Sequence, residues 1–205
     1  MSRPVRADDV KLIVSIFAGC GDEINKALGE LSERYGRTDF VGSLHAFDHT
    51  GYYRGEMGGP LVRRFVSFER LIRPEVLPDI KIFCNSVEDC HSREGKRRVN
   101  LDPGYLGHPH LILATGKGYS HRPYLRDGIY ADLTLFFRDG AFQRLPWTYS
   151  RLWYGADVED VHPAQGEIPA GKKRYDYGGR YTLGYQGTVP LIHSRPSNEK
   201  RKYYD

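Results

Sequence analysis

The chain has 205 residues, of which 40% are hydrophobic, and this suits one packed domain with an extension, or at most two small domains. Its net charge of +4 is below the positive charge that a dedicated nucleic-acid-binding domain usually concentrates. Three cysteines without a CxxC pair argue against a disulfide framework and a structural zinc site, so we expect a reducing, cytoplasmic location. No apolar run resembles a signal peptide or a membrane span, so no membrane association is expected.

The opening of the sequence predicts a β-α-β unit. Residues 10–18 form an almost continuous apolar run rich in β-branched residues, which is typical of a buried central strand. A helix is predicted from a cap at Asp22 to Tyr35, because its apolar residues recur on one face, and Gly36 is a suitable C-terminal stop. Residues 38–47 then return as a second strand.

The next segments are less uniform. Residues 48–59 contain four glycines among polar residues and predict a loop. Residues 61–72 fit both a strand and a helix, and both interpretations stay open. Pro74 fits the start of a helix, although Pro78 is tolerated only within its first turn. That helix would carry its apolar residues on one face: Leu77, Ile80, Cys84 and Val87.

The following segment mixes a strand, a turn and a short helix. Residues 97–101 have the pattern of a strand, and Asp102-Pro103-Gly104-Tyr105 is a turn signature. Residues 108–114 fit a short helix.

A three-stranded antiparallel meander is predicted at 122–125, 129–138 and 141–145. Asp127-Gly128 and Asp139-Gly140 are strong hairpin signals between these strands. Alternation predicts that one face of the middle strand carries Ile129, Ala131, Leu133, Leu135 and Phe137.

These elements predict an α+β domain over residues 1–154. A βαβ start combined with an antiparallel meander suits a ferredoxin-like or related sheet with helices on one face. Residues 155–205 have no sustained apolar period and contain many prolines and glycines, so they predict an extended C-terminal tail.

Several strings within residues 10–150 are specific enough to compare with known families. The most specific are Arg98-Val99-Asn100-Leu101-Asp102-Pro103-Gly104-Tyr105-Leu106, Leu113-Ala114-Thr115-Gly116-Lys117 and Pro146-Trp147-Thr148-Tyr149. On these residues the chain resembles a bacterial domain-of-unknown-function family (four-four-one-six). The resemblance implies one domain over that span, with the tail outside it, and no assigned activity.

The densest polar cluster contains Arg98, Asn100, Asp102, Tyr105, Lys117, His121, Arg122 and Asp132. The cations, with the backbone around Gly116-Lys117-Gly118, suit a phosphate or carboxylate, and His121 and Asp102 could move protons. We therefore predict that Asp102, Lys117, His121 and Arg122 converge on one pocket that binds a small anionic ligand. The alternative is that Asp102 only stabilises its turn and the cations are solvated. The sequence leaves open whether a reaction takes place.

Metal and thiol chemistry have little support. His45 with His49, and His108 with His110, each lack a third ligand at metal spacing, so the sequence predicts no metal and indicates no cofactor. Cys84 and Cys90 are interpreted as core or surface thiols.

The tail provides a second functional hypothesis. Between residues 172 and 204, eight lysines and arginines stand against two carboxylates, and six tyrosines are interleaved with them. Such a segment is typical of a partner-binding tail, so a non-catalytic subunit that binds RNA or a protein complex is the alternative function. A solvated tail and a homo-oligomer stay open. The residues predicted to contact the partner are Lys172, Lys173, Arg174, Tyr175, Tyr177, Arg180, Tyr181 and Tyr185.

Overall fold

The computed structural model of the protein describes residues 2–47, 51–107, 110–138 and 141–148. In chain order these residues form β1 (Val10–Ala18), α1 (Gly21–Tyr35), β2 (Thr38–Val41), β3 (His45–Ala46), α2 (Gly51–Met57), β4 (Val62–Ile72), a 3-10 helix (Pro74–Val76), α3 (Leu77–Cys90), β5 (Val99–Leu106), β6 (His110–Thr115), β7 (Tyr124–Arg126), β8 (Ile129–Arg138) and β9 (Ala141–Arg144). No helix in these ranges is long and apolar enough to cross a membrane. The predicted tail of residues 155–205 lies outside the described residues.

The strands form one sheet in the order β2-β4-β1-β5-β6-β8-β7, with β3 added to β4 and β9 to β8. β1 and β2 are both antiparallel to β4, which lies between them, so they are parallel to each other and joined through α1. The predicted β-α-β opening is therefore present, with a later strand inserted between its two strands. Of the two interpretations of residues 61–72, the strand is correct, because Val62–Ile72 form β4. The domain is α+β, as predicted.

The main core lies between α1, α3 and one face of the sheet. Alternate residues of β1, beginning at Leu12, share a buried cluster with Ile24 of α1 and Cys84 of α3. The two long helices therefore cover the same face, because the apolar stripe of each helix matches the inward residues of the strands. Gly36 ends α1 with a φ of 94°, which a residue with a side chain adopts only with strain.

α2 lies on the other face of the sheet, within a segment that was predicted to be a loop. Its last residue, Met57, is buried in a cluster with Phe17 of β1 and Leu61. The loop prediction is wrong because tertiary contact outweighs the low helix propensity of Gly51 and Gly55.

β5 runs through the segment that the sequence predicts as a turn. Residues 102–104 are all paired with β1. Pro103 is compatible with this strand because its nitrogen points away from β1, as that of Leu101 does, and the pairing with β6 begins only at Gly104. At Gly104 a Cβ would lie 2.4 Å from the carbonyl oxygen of Ile112, so only glycine fits between β5 and β6. The turn prediction is wrong because these residues serve the packing of a strand.

β6 replaces the short helix predicted at residues 108–114. It pairs with β5 on one side and β8 on the other. Leu111 lies in a buried cluster with Ile13, whereas Ala114 lies on the opposite face in a cluster with Leu77 of α3. A short apolar segment fits both periodicities, and here the two neighbouring strands decide between them.

β8 changes faces at its middle. The neighbours Leu111 and Ile112 of β6 pair with Leu135 and Leu133, so β8 contains one extra residue at this point. Ile129 accordingly lies on the α3 side, while Leu135 lies on the opposite face. The prediction that alternate residues from 129 to 137 share one face is wrong beyond Leu133, because the bulge shifts the alternation by one residue.

The predicted hairpin between β7 and β8 is confirmed. Asp127 and Gly128 have φ values of 53° and 76°, as a two-residue type I′ turn requires. The second hairpin signal, Asp139-Gly140, lies outside the described residues.

Candidate functional site

The first polar group lies where α3 crosses the start of β5. Glu88 accepts a hydrogen bond of 2.7 Å from the backbone N–H of Leu101, and Lys81 donates one of 2.7 Å to the carbonyl oxygen of Leu101. These backbone groups point away from β1 at a level that β6 does not reach. The two buried side chains of α3 therefore take the place of a neighbouring strand, with Lys81 Nζ 3.5 Å from Glu88 Oε1.

Three further residues close this group into a ring. Arg97 Nη1 lies 3.0 Å from Asn100 Oδ1 and 3.5 Å from Glu88 Oε2. Asn100 Nδ2 donates a hydrogen bond of 3.0 Å to Asp102 Oδ2, and Asp102 Oδ1 lies 3.9 Å from Lys81 Nζ. Each of the five side chains thus contacts two others. Lys81, Glu88, Arg97, Asn100 and Asp102 are called the edge network.

α2 is tied to this network by an ion pair. Arg97 donates two hydrogen bonds of 2.6 Å to the two carboxylate oxygens of Glu56. This bidentate geometry is the strong form of an arginine–carboxylate contact. α2, α3 and β5 are therefore joined through one guanidinium group.

The pKa values of the ionisable groups here are shifted in different directions. Burial raises the pKa of Glu88, although Lys81 and the N–H of Leu101 favour its ionised form. Hydrogen bonds from Arg97 instead lower the pKa of Glu56. Burial raises the pKa of the Cys84 thiol to about 12, so this thiol is not a nucleophile at neutral pH.

The second polar group is the loop between β6 and β7. Arg122 Nε donates a hydrogen bond of 2.8 Å to Asp132 Oδ2 on β8, and Arg122 Nη1 donates one of 3.1 Å to the carbonyl oxygen of Lys117. These two bonds hold Nε and Nη1, which lie on different edges of the guanidinium. Within the described part of the chain, its Nη2 has no hydrogen-bond partner.

Three aromatic rings lie beside this arginine. His121 stacks on Trp147, with ring centroids 4.9 Å apart and planes 20° from parallel. Tyr119 lies 5.4 Å from the His121 ring and 5.9 Å from the guanidinium carbon of Arg122. Its side chain is 70% exposed. Tyr119, His121 and Trp147 are called the ring platform.

The bulge in β8 holds this platform in place. Trp147 Nε1 donates a hydrogen bond of 3.0 Å to the carbonyl oxygen of Leu133, and the Thr148 hydroxyl donates to the carbonyl oxygen of Thr134. Both carbonyls belong to the bulge, where the ladder with β6 is interrupted. An irregularity in the sheet therefore provides the acceptors that orient the tryptophan.

The predicted polar cluster is divided between these two groups. Asn100 and Asp102 belong to the edge network, whereas the members at the loop and on β8 are Lys117, His121, Arg122 and Asp132. The groups approach each other at Lys117, whose charge, after the larger effect of Arg97, helps to lower the pKa of Glu56.

Two predicted members lie apart from both groups. Arg98 pairs with Glu23 of α1 at 3.0 Å. Tyr105 lies on the α3 side of the sheet in the cluster around Leu77, where burial raises its pKa.

Sequence reasoning missed residues that complete both groups, namely Glu56, Lys81, Glu88, Arg97, Tyr119 and Trp147. A signal for two of them was present. Lys81 and Glu88 lie three and four residues from Cys84, on the face of α3 that was predicted to be buried. Charged residues on a buried helix face require partners, so they indicate a polar contact inside the fold.

The histidines do not form a metal site in the described part of the chain. No group of three His, Cys, Asp or Glu side chains there is placed to hold an ion. His45 lies on β3 and His110 on β6, while His49 and His108 lie outside the described residues. Burial lowers the pKa of His110 and thus favours its neutral form. The absence of a bound metal stays a prediction.

Comparison with known proteins gives a family without an activity. The sequence model of the family described as Domain of unknown function (DUF4416) matches residues 8–155, so the chain belongs to this family. The resemblance found in the sequence is therefore confirmed, and residues 156–205 lie beyond the match. No curated protein and no solved structure matches the chain.

Proposed function

We propose that the chain binds a small anionic ligand, bearing a phosphate or a carboxylate, at the loop of residues 116–122. The observation that carries this proposal is the setting of Arg122. Asp132 and the Lys117 carbonyl hold its Nε and Nη1, so Nη2 is oriented before a ligand arrives. An Nη2 fixed in this way can donate a charge-assisted hydrogen bond to a carboxylate or a phosphate.

The glycines of the loop support the same proposal. At Gly118 a Cβ would lie 2.9 Å from the Tyr130 ring, so the loop backbone packs closely against β8. A Cβ at Gly116 would meet no atom within 4 Å, which leaves the backbone on that side accessible. An anion could therefore approach the backbone at Gly116 without meeting a side chain of that residue.

The edge network is a weaker candidate for the same ligand. Its charged atoms contact one another and the backbone of Leu101, and Lys81 and Glu88 are buried. Binding an anion there would require one of these contacts to break, which costs free energy in a low-dielectric setting.

Calorimetric titration of the full chain with inorganic phosphate and with citrate tests the proposal. We expect Arg122→Gln to weaken binding about tenfold to a hundredfold, since a hydrogen bond to a charged group contributes roughly 1.5–3 kcal/mol. Asp132→Asn keeps the cation but loosens its support, so it should weaken binding less. Amide resonances of residues 116–122 should shift in NMR spectra of the wild-type chain during the same titrations.

The matched control is Arg126→Gln. Arg126 is an exposed arginine on the neighbouring strand β7, where it pairs with Asp79 and Asp127. This variant should bind phosphate as the wild type does. Equal losses in the two arginine variants, or resonance shifts outside residues 116–122, would contradict the proposed site.

A finer description of the fold is also proposed, namely a ferredoxin-like unit of β1, α1, β2, β4, α3 and β5. The strand order β2-β4-β1-β5, with two helices on one face, supports it. β6, β7, β8 and β9 would then be an addition at the β5 edge of that unit.

The alternative function, binding of RNA or a protein complex through the tail, rests on residues outside the described part of the chain. It stays a prediction from charge and tyrosine content, as do self-association and a cytoplasmic location.

A further inference from the structure

The ring platform has a feature that anion binding alone does not explain. Tyr119 is 70% exposed and Trp147 is 38% exposed, although aromatic side chains usually gain from leaving water. Tyr119, His121 and Trp147 lie in one row, with successive ring centroids 5.4 Å and 4.9 Å apart. Exposed rings grouped in this way, here with the half-buried His121 between them, are typical of a surface that stacks on a planar ligand.

The platform is also held in a defined position. The indole of Trp147 is hydrogen-bonded to the Leu133 carbonyl, and its ring is stacked on His121. The neighbouring Thr148 is bonded to the bulge as well. A surface that is ordered before binding loses less conformational entropy when a ligand stacks on it.

The guanidinium of Arg122 and the ring of Tyr119 are close enough for one small molecule to contact both. The guanidinium carbon of Arg122 lies 5.9 Å from the centroid of the Tyr119 ring. A nucleoside monophosphate carries a planar base and a phosphate separated by one ribose, which allows the base to stack while the phosphate meets a cation. Carbohydrates also stack on aromatic rings, but a neutral sugar has no anionic group to bind Nη2 of Arg122. A nucleotide therefore suits this surface better than a neutral sugar does.

We infer that the anionic ligand is a nucleotide, whose base stacks on Tyr119 and whose phosphate binds Nη2 of Arg122. This inference rests on the proposed function, because it uses the same arginine, and it adds the chemical class of the ligand. It assigns recognition of the base to the ring platform and recognition of the phosphate to the loop.

The tryptophan of the platform provides the measurement. The chain contains two tryptophans, so Trp153→Phe leaves Trp147 as the single tryptophan reporter. The full chain with this change is titrated with AMP, with inorganic phosphate and with adenosine while Trp147 fluorescence is recorded; phosphate and adenosine binding are measured in parallel by calorimetry. We expect AMP to quench the fluorescence and to bind at least about fivefold more tightly than either fragment, since stacking one base contributes roughly 1–3 kcal/mol.

Two tyrosine variants separate stacking from a general effect. Tyr119→Ala should weaken AMP binding about fivefold to a hundredfold and leave phosphate binding unchanged. Tyr124→Ala removes another exposed tyrosine, on β7, which is 59% exposed and outside the platform, and it should leave both affinities unchanged. Equal losses of AMP binding in the two variants would overturn the assignment of the base to Tyr119.

The outcomes distinguish this inference from the proposed function. If phosphate binds and AMP binds no more tightly, the nucleotide inference is wrong and the anion site stands. If phosphate, citrate and AMP all fail to bind, the proposed function is wrong and the inference fails with it. If adenosine binds as tightly as AMP, the phosphate has no partner at Arg122 and the inference is again wrong.

Discussion

The edge network and the ring platform lie at the same end of the sheet, but the charged side chains in the two regions differ in how many of their polar atoms have partners. Asp102 of β5 is two residues from Gly104, which pairs with Leu113 of β6, so the start of β5 is level with the end of β6. In the edge network each charged side chain contacts other members of the ring or the backbone of Leu101. Next to the platform, Arg122 is held through Nε and Nη1, and its Nη2 has no hydrogen-bond partner among the described residues.

This difference separates a structural use of charge from a binding use. A buried ion pair whose polar atoms all have partners fixes a local arrangement. Removing one member destabilises the fold because it leaves a buried charge without compensation. A cation that is oriented by neighbours but keeps a donor without a partner is suited to a ligand. The comparison therefore supports a structural role for the edge network and the binding role that we propose for the loop.

Removing one partner of the buried pair should have the largest effect on stability. Lys81→Met leaves the buried Glu88 with only Arg97 as a cationic partner among the described residues, and it leaves the carbonyl oxygen of Leu101 without its donor. We expect the free energy of unfolding to fall by about 3–5 kcal/mol, measured by urea unfolding followed by circular dichroism. Arg122→Gln, whose pair with Asp132 is largely buried, should cost less, roughly 1–3 kcal/mol, because Asp132 loses its donor.

A double variant is the control for this prediction. Lys81→Met with Glu88→Gln leaves no buried charge unpaired, and the amide oxygen of the introduced glutamine can still accept the N–H of Leu101. We expect the double variant to be more stable than Lys81→Met alone. If Lys81→Met lowers the free energy of unfolding no more than Arg122→Gln does, the edge network does not have the structural role that we assign to it.

The raised pKa of Glu88 predicts how stability depends on pH. Because burial raises this pKa in the folded state, the folded chain binds the proton more tightly than the unfolded chain. Its contribution to stability is therefore full below the unfolded pKa, about 4.3, and is lost as pH rises through the higher folded pKa. In Glu88→Gln this loss should be missing, so the variant should gain stability relative to the wild type over that window, by about 1.4 kcal/mol for each unit of pKa difference.

Urea unfolding of both chains at a series of pH values from 4 upward, in roughly half-unit steps, measures this difference. Carboxyl groups that do not interact with Glu88 contribute equally to the two chains, including Asp39, where hydrogen bonds from Lys11 and Ser67 outweigh burial and lower the pKa. A constant stability difference between the two chains across the series would contradict the raised pKa of Glu88.

The regular elements could be predicted because local pattern and tertiary contact agree there. Residues 10–18 are apolar on both faces and lie in the sheet between β4 and β5. α1 has a single apolar stripe and ends at Gly36. The turn at Asp127-Gly128 has the chemistry that a two-residue hairpin requires.

Apart from the loop prediction at α2, the wrong predictions occurred where a neighbouring strand overrides the local signal. Asp102-Pro103-Gly104 has the composition of a turn, but the missing N–H of Pro103 lies on a side of β5 where the pairing with β6 has not begun. Gly104 is required by the closeness of β6, which no local pattern encodes. The bulge in β8 likewise depends on its register with β6.

The candidate site was predicted in part for the same reason. Lys117, His121 and Arg122 are close in sequence, so their common loop was visible. Trp147 reaches His121 only because the bulge in β8 accepts its indole N–H, and this contact joins residues 26 positions apart. The sequence therefore indicated the cations of the site and missed the rings beside them.

The smallest expected effect belongs to the indole hydrogen bond of the platform. Trp147→Phe keeps an aromatic ring for His121 but removes the donor to the Leu133 carbonyl. Trp147 is 38% exposed, so water can replace the lost donor, and we expect a destabilisation of about 1 kcal/mol or less. Tyr119→Phe, which keeps the most exposed ring of the platform, should change the free energy of unfolding by less than roughly 0.5 kcal/mol.

Urea unfolding of these two variants tests whether the platform is separable from the core. The open arrangement predicts that both variants fold, while Trp147→Phe alters the NMR signals of the His121 ring because the stacked partner has changed. A loss near that expected for Lys81→Met would mean that Trp147 holds the β8 bulge as part of the fold. In that case Trp147 would be a structural residue, and the distinction between a structural network and a binding surface would not apply to it.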